Sequence, residues 1–204
     1  MCINCRPNYK FKIQGNYSVG TLPDGSKFII DSEDIEKVST KWWHSGKEGY
    51  VVSSERSDTH EHRLHQFIMG DTAENVMIDH INRNPRDCRK ANLRFATPQQ
   101  NSMNRSITKQ NTSGYVGVSF VTSKDTYRAQ IGLNNRDIYL GVNKDPVVCA
   151  QMYNIASVLL FGDFAGHSNE VPEPPPEIIQ KIVDKCFPYM DEAYEATQPC
   201  GFSI

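Results

Sequence analysis

The sequence predicts an α+β protein, because a β-rich amino-terminal region is followed later in the chain by a three-stranded antiparallel sheet and a helix. Strand-like runs at residues 17–20 and 27–31 flank a Pro-Asp-Gly turn in the amino-terminal region. Residues 113–169 contain three short alternating runs followed by an apolar, helix-like run. At 204 residues the chain is long enough for one or two small domains with cores of their own.

The amino-terminal region continues with a short helix predicted over residues 32–38 and another strand over residues 49–53. A helix is predicted around residues 62–69, where four apolar residues are available for a core. Trp42 and Trp43 could stack on nucleic-acid bases, but bulky apolar side chains in a small domain usually lie inside. We therefore expect at least one of the two to be buried.

The most informative stretch follows this region and begins with Asp79 and His80 at the end of a strand-like run. The polar, turn-forming residues 82–85 come directly afterwards, so the strand is predicted to end or bend there. Such an end is needed, because consecutive strand residues point to opposite faces and could not otherwise serve one site. Asn92 follows in a loop.

A second helix is predicted to begin beyond this loop. Thr97 fits the N-cap position, and Pro98 fits the first helical position, where its missing N–H does no harm. This assignment places Asn101 about one turn into the helix. Asp79, His80, Asn92 and Asn101 thus stand on a strand end, a loop and a helix in that order.

The four residues resemble the HNH (ββα-metal) nuclease motif, in the variant of phage and intron-encoded homing endonucleases where Asn replaces the last His. The upstream Arg-Leu-His at residues 63–65 is also in family order. Gln66 departs from the family, which often has Arg there. His65 has two readings: a hydrogen bond to the site scaffold, or a satisfied, partly buried histidine.

The chemistry of a phosphodiester explains these residue types, because hydrolysis needs an activated water and neutralisation of the charge that gathers in the transition state. A neutral imidazole accepts a proton near neutral pH, which makes His80 the candidate general base. Asp79 and Asn101 offer the oxygen ligands that Mg²⁺ or Mn²⁺ prefers. Asn92 both donates and accepts, so it is assigned to holding the loop.

The resemblance implies a site-specific, metal-dependent DNA endonuclease of the homing type. One alternative is a catalytically silent DNA-binding regulator that retains the fold, against which the intact Asp79, His80 and Asn101 argue. Another is a restriction or host-DNA-degrading nuclease with the same chemistry. Double-stranded DNA is the expected partner, and the sequence leaves a homodimer open.

Charge is distributed unevenly, although the net charge is only −2. Residues 80–136 contain ten basic and two acidic side chains, whereas residues 170–204 contain two basic and seven acidic ones. A basic central surface favours DNA binding. In and after the motif, the candidate DNA contacts are Arg83, Arg94, Arg105 and Lys109.

Targeting and redox patterns point to the cytoplasm, expected to be that of a phage-infected bacterium. The first residues lack the apolar core of a signal peptide, and no apolar run approaches the roughly 18 residues that would span a membrane. Of the six cysteines, Cys2 and Cys5 have half of a zinc-ribbon spacing without a second pair. Free thiols are favoured over structural zinc.

We predict four parts: a β-rich region with the nuclease motif over residues 1–105 (core 62–105), a linker over 106–112, a second domain over 113–169, and an acidic tail over 170–204. Three strands and a helix in the second domain resemble the plant ethylene-response-factor (Apetala-type) DNA-binding domain. The residues that carry this resemblance are Gly114, Tyr115, Gly117, Val118, Arg128, Ala129, Ile131, Leu140, Gly141, Ala150, Ala156, Leu160 and Asn169.

In that family the open face of the sheet enters the major groove. If Ala129 and Ile131 pack on the helix, strand alternation turns the neighbouring side chains outward. The candidate DNA contacts in this domain are Lys124, Arg128, Gln130 and Tyr139. The alternative is a sheet and helix that serve only as a partner or dimer surface. In the tail, a Pro-rich stretch precedes an amphipathic helix expected over residues 178–190.

Overall fold

The computed structural model describes residues 10–53, 62–70, 72, 74–104, 107, 111–166 and 168–198. The chain divides into two compact units, Met1–Ala96 and Thr97–Ile204. This division falls before the nuclease helix, whereas the sequence led us to expect a boundary after residue 105. Helix and strand are both well represented in each unit, which agrees with the α+β class.

Short antiparallel sheets and a hairpin make up most of the described first unit. The strands are β1 Phe11–Gln14, β2 Tyr17–Thr21, β3 Lys27–Asp31, β4 His44–Ser45, β5 Val51–Ser53, β6 His62–Arg63, β7 Met77–His80 and β8 Leu93–Ala96. They pair in the orders β1-β2-β3, β4-β5-β6 and β7-β8. The helices are α1 Ile35–Val38, preceded by a 3-10 turn at Ser32–Asp34, and α2 Leu64–Met69.

The core of the first unit joins the sheets to both helices. Phe28, Val38, Trp43 and Leu64 are fully or almost fully buried in one cluster. The indole N–H of Trp43 donates to the Val38 carbonyl at 2.8 Å, so burial leaves its polar atom satisfied. Trp42 is 57% exposed, whereas Trp43 is buried. The burial of Trp43 confirms the expectation that at least one of the two tryptophans lies in the core.

The loop of the β7–β8 hairpin is attached to strand β3. The Ile29 N–H donates to the Arg86 carbonyl, and the Cys88 N–H donates to the Ile29 carbonyl, both at 2.8 Å. Lys90 forms ion pairs with Glu33 and Asp34 in the 3-10 turn after β3. The loop that carries the motif is therefore fixed to the amino-terminal sheet by backbone and side-chain bonds.

The second unit is a sheet covered by a long helix. Its elements are α3 Pro98–Met103, β9 Val118–Val121, β10 Thr126–Leu133, β11 Arg136–Asn143, α4 Pro146–Phe161, α5 Pro176–Cys186 and α6 Met190–Thr197. The antiparallel sheet has the order β11-β10-β9. Asp145 caps α4 by accepting from the Val147 N–H, with Pro146 first in the helix as predicted.

Alternation along β10 separates two faces. Ala129 and Ile131 are buried under α4, whereas Arg128 is exposed. Gly117 precedes the sheet with φ of +72°, and a Cβ there would lie 1.9 Å from the Tyr153 ring. Only glycine fits this close approach.

The predicted tail helix begins two residues early, at Pro176, and is followed by a 3-10 turn at Phe187–Tyr189 and by α6. The segment Pro146–Phe164 is long and apolar enough to cross a membrane by length and composition alone, but 56% of it is buried inside the protein. Helices that pack in a protein core pass the same test.

Candidate active site

The β7–β8 hairpin places the Asp-His pair at the end of a strand. Asp79 lies opposite Arg94, and His80 lies opposite Leu93. The strand stops at His80, where the Arg83 N–H donates to the His80 carbonyl at 2.8 Å and Arg83 adopts a φ of +59°. The turn predicted from residues 82–85 is thus present.

His80 lies in a pocket of aromatic and apolar groups. Its ring is 4.7 Å from the His65 ring, edge to face, and 6.1 Å from that of Tyr50. The Cys88 sulfur lies 3.9 Å from its Nε2. Burial lowers the pKa of His80 below its ordinary value, although the negative charges of Asp79 and Asp87 partly oppose this. His80 is therefore neutral at pH 7, the form that accepts a proton.

His65 is the closest described ring to His80 and is only 3% exposed. Burial, followed by the charges of His80 and Arg63, lowers the pKa of His65 to about 3. Tyr50 also packs against His65, with the two ring centroids 5.5 Å apart. The sequence left open whether His65 is a hydrogen-bonding scaffold residue or a buried histidine. The structure shows a buried side chain, which packs on the ring of His80.

Asp79 is held from the neighbouring strand. The Arg94 Nε and Nη2 donate to its Oδ2 at 2.9 and 2.8 Å, and the two side chains are only 8% and 15% exposed. From the sequence, Arg94 is a candidate DNA contact. The cross-strand register instead turns its guanidinium toward Asp79, which the sequence spacing of 15 residues did not reveal.

Asn92 closes the loop, as its amide chemistry suggested. Its Oδ1 accepts from the Asn82 N–H at 3.0 Å, and its Nδ2 donates to the Asp87 carbonyl at 2.7 Å and to the Asn82 Oδ1 at 2.9 Å. Both ends of the loop are thereby joined through one buried side chain. These contacts are structural, and the block of residues that they fix begins directly after His80.

Asp87 is a buried carboxylate that sequence reasoning passed over. It accepts from Arg89 Nε and Nη2 at 2.7 and 2.6 Å and from Asn82 Nδ2 at 2.9 Å. Burial alone would raise the pKa of Asp87, but the hydrogen bonds and charge of Arg89 more than offset this, so the pKa is lowered. An Asp two residues before an Arg is ordinary surface sequence, and no local signal distinguished it.

Asn101 lies on α3, in the second unit. Thr97 caps this helix through a capping box, in which its side chain accepts from the Gln100 N–H and the Gln100 side chain accepts from the Thr97 N–H. The sequence predicted this cap and Pro98 at the first position. The metal-ligand role of Asn101 stays a prediction.

A divalent metal suits the donor chemistry of these residues. Among the described residues no group of three or more His, Cys, Asp or Glu side chains could hold a metal. The predicted ligands are one carboxylate and one amide oxygen, with water and phosphate completing the shell, so such a group is not required. The Arg94 guanidinium already binds Asp79 Oδ2, so a metal at this carboxylate would share it with a second cation. Hard oxygen donors fit Mg²⁺ or Mn²⁺ better than zinc.

The candidate DNA contacts fall into three groups. Arg83 is half-buried in the hairpin turn, whereas Lys124 and Arg128 are exposed in the second unit. In the sheet of the second unit, Gln130 donates to the Asp137 carboxylate at 3.2 Å, and the Lys185 ammonium lies 4.7 Å from the Tyr139 ring centroid. The described residues do not include the candidate DNA contacts Arg105 and Lys109. The same holds for the cysteines considered for zinc, Cys2 and Cys5.

The two-stranded hairpin of the first unit presents an Asp-His pair at a strand end and is closed by a loop that Asn92 fixes, which is the local arrangement that the nuclease resemblance implied. Comparison with known proteins agrees, because residues 66–103 match the HNH endonuclease family model. An uncharacterised HNH endonuclease L560 of Acanthamoeba polyphaga mimivirus is 35% identical over 144 residues, covering 68% of this chain and 73% of the relative. The chain belongs to the HNH endonuclease family.

A phage protein is also similar. Protein 3.8 of Escherichia phage T7 is 37% identical over 62 residues, which cover 30% of this chain and 51% of that protein. No solved structure matches the chain. Neither the family match nor the two relatives support the resemblance of the second unit to the ethylene-response-factor domain.

Proposed function

We propose that this protein is a metal-dependent DNA endonuclease in which His80 is the general base. One observation carries the proposal: the imidazole is buried at the end of β7, immediately after Asp79, and its burial lowers its pKa. A base of this kind takes a proton from water as the water attacks phosphorus. His65 and Tyr50 pack against the ring and limit its movement.

Asp79 and Asn101 are the residues that we assign to hold a Mg²⁺ or Mn²⁺ ion, with Arg94 keeping the Asp79 carboxylate in place. When bound, such an ion neutralises charge on the phosphate and on the leaving 3′ oxygen. Asn92 keeps the loop after His80 in one conformation through its three hydrogen bonds. Its contribution to cleavage is therefore exerted through the position of the strand end.

Site-specific cleavage of the homing type is the finer proposal. The exposed face of the β9–β11 sheet carries Arg128 and, with protein neighbours, Gln130 and Tyr139, which would read or position DNA. Relatives from a giant virus and a phage support action in the cytoplasm of an infected host. A restriction or DNA-degrading role uses the same chemistry and differs in the pattern of cut sites.

The test of the general base is cleavage of plasmid DNA by the full chain and by His80→Ala, with His44→Ala as a control for an exposed histidine in β4. We expect His80→Ala to lose about 10²- to 10⁴-fold in rate. DNA affinity should change little, because the basic surface is intact. Wild-type cleavage by a pure His80→Ala preparation would exclude His80 as the base.

The metal and the specificity are tested on the same substrate. Excess EDTA should stop cleavage, and Mg²⁺ or Mn²⁺ should restore it. Sequencing the ends of the cleaved DNA should give one or a few positions for a homing enzyme. Ends scattered over the whole plasmid would contradict site-specific cleavage while leaving the nuclease assignment intact.

A further inference from the structure

The first unit contains a second polar surface that the proposed catalytic site does not use. An open pocket of about 580 Å³ lies beside α2 and is lined by Lys41, His62, Arg63, Gln66 and Phe67, among others. Two full positive charges and a titratable imidazole line it, and no described carboxylate does. Like charges brought together in one concave surface favour an anion.

Arg63 is the best placed of these cations. Its guanidinium lies over the Tyr50 ring, with its carbon 4.7 Å from the ring centroid. Arg63 is exposed, and in the part of the chain that the structure describes it forms no ion pair with a carboxylate. Stacking fixes the plane of a guanidinium but leaves the N–H donors along its edge available for a planar or tetrahedral anion.

Phe67 lies close to Lys41 and to one further cation, Lys37. The ammonium groups of Lys37 and Lys41 lie 5.4 and 5.6 Å from its ring centroid. Lys37 also donates to the Ile68 carbonyl at 3.0 Å, which anchors it at the end of α2. Two aromatic rings thus hold positive charge near the pocket: Tyr50 contacts Arg63, and Phe67 contacts Lys37 and Lys41.

Tyr50 also connects the pocket to the candidate active site. Its ring contacts both Arg63, at 4.7 Å, and the rings of His65 and His80, at 5.5 and 6.1 Å. An anion held by Arg63 would therefore lie about one aromatic ring away from the general base. The distances of 4.7 and 6.1 Å from the Tyr50 centroid put the Arg63 guanidinium carbon at most about 11 Å from the His80 ring, and over that length one DNA strand presents more than one phosphate, since it carries a charge every 3.4 Å or so along the helix axis.

We propose that this pocket binds a backbone phosphate of the DNA substrate, next to the phosphodiester that is attacked at His80, with Arg63 as the principal ligand. The inference rests on the proposed nuclease function. The contact is to the backbone, so it positions the strand without reading sequence. It also accounts for an exposed arginine immediately before the buried Leu64 and His65 of α2.

The test compares Arg63→Ala and Arg63→Lys with wild type in full-length protein, and Lys12→Ala on β1 serves as a control for an exposed cation outside the pocket. DNA affinity is measured at several salt concentrations on two unrelated duplexes. Arg63→Ala should weaken binding to both equally and reduce the salt slope by about one. Arg63→Lys should keep most of the slope and lose part of the affinity, because it retains charge without the fork.

Cleavage kinetics separate positioning from general loss. KM should rise several-fold in Arg63→Ala with a smaller change in kcat, and Lys41→Gln should show a weaker version of the same pattern. Should Arg63→Ala unfold, as judged from its melting temperature, Lys41→Gln decides the question alone. A salt slope and KM equal to those of Lys12→Ala would overturn the inference.

The source of the anion is tested with inorganic phosphate alone. Competition by millimolar phosphate that is lost in Arg63→Ala, together with an unchanged DNA salt slope, would mean that the pocket takes free phosphate and would overturn the backbone assignment. Failure of the proposed function is distinguishable, because wild-type protein would then neither bind nor cut DNA. If wild-type protein cuts DNA and Arg63→Ala behaves like the control, the phosphate pocket is excluded and the proposed nuclease function stands.

Discussion

The two units differ in which polar groups they bury. In the described part of the first unit, the buried side chains include five ionisable groups: Asp34, His65, Asp79, His80 and Asp87. In the described part of the second unit, the buried polar side chains are amides and a serine: Gln100, Asn104, Gln151, Ser157 and Asn169. Burying an ionisable group costs far more free energy than burying a hydrogen-bonded amide.

Three of the five groups, Asp79, His80 and Asp87, lie in the hairpin that carries the motif, and His65 and Asp34 contact it through His80 and Lys90. The cost is therefore concentrated where the proposed chemistry needs it. The second unit uses its amides to fix backbone. Asn169, for example, accepts from the Val116 N–H at 2.7 Å and donates to the Val116 carbonyl at 3.2 Å. The proposed DNA contacts Arg128, Gln130 and Tyr139 of the second unit lie on the open sheet face, where little stability depends on them.

The sharpest way to test this contrast is to remove the amide that closes the hairpin loop. Asn92→Ala leaves the Asp87 carbonyl and the Asn82 N–H without their partner, which should cost about 2–3 kcal/mol of unfolding free energy. Asn16→Ala, at an exposed turn of the same unit, should stay within about 0.5 kcal/mol of wild type. Urea denaturation measures both, and equal stability of the two variants would contradict the scaffold role of Asn92.

A second test uses pH, because burial keeps His65 and His80 neutral in the folded protein. Below the ordinary histidine pKa of about 6.5 the unfolded chain binds protons that the folded chain does not, so stability is complete above pH 6.5 and falls as the pH decreases toward 3. His65, whose pKa burial lowers to about 3, contributes up to about 1.4 kcal/mol per pH unit over this range, and His80 contributes in the same direction.

His65→Gln should reduce the pH slope of the unfolding free energy between pH 6 and 4 by roughly one proton, as measured by urea denaturation at each pH. His44→Gln, at an exposed position of β4, is the matched control. An identical slope in His65→Gln and wild type would show that His65 is protonated in the folded state.

The smallest expected effect on stability is in the second unit. Arg128→Ala removes an exposed side chain and should change the unfolding free energy by less than about 0.5 kcal/mol. If Arg128 contacts a phosphate, the salt slope of DNA binding falls by about one; if it contacts guanine, about 1–3 kcal/mol is lost at one base position. Lys181→Ala on α5 is the control for an exposed cation, and binding equal to that control would favour a partner surface over a DNA reader.

Much of the fold followed from local patterns. The cap at Thr97, the start of α4 after Asp145 and the outward position of Arg128 were all predicted, because each depends on residues within a few positions of one another. Strand β1 was not predicted, since Phe11–Gln14 has no buried alternation of its own and is stabilised by pairing with β2.

By itself the sequence determined the class of the protein, since Asp79, His80, Asn92 and Asn101 stand in an order that chemistry and family share. Only the tertiary structure decided which side chains surround them. The pairing of Arg94 with Asp79 depends on cross-strand register, and the contact of His65 with His80 joins a helix to a strand. Such neighbours are set by packing between elements far apart in the chain, and no local pattern of residues encodes them.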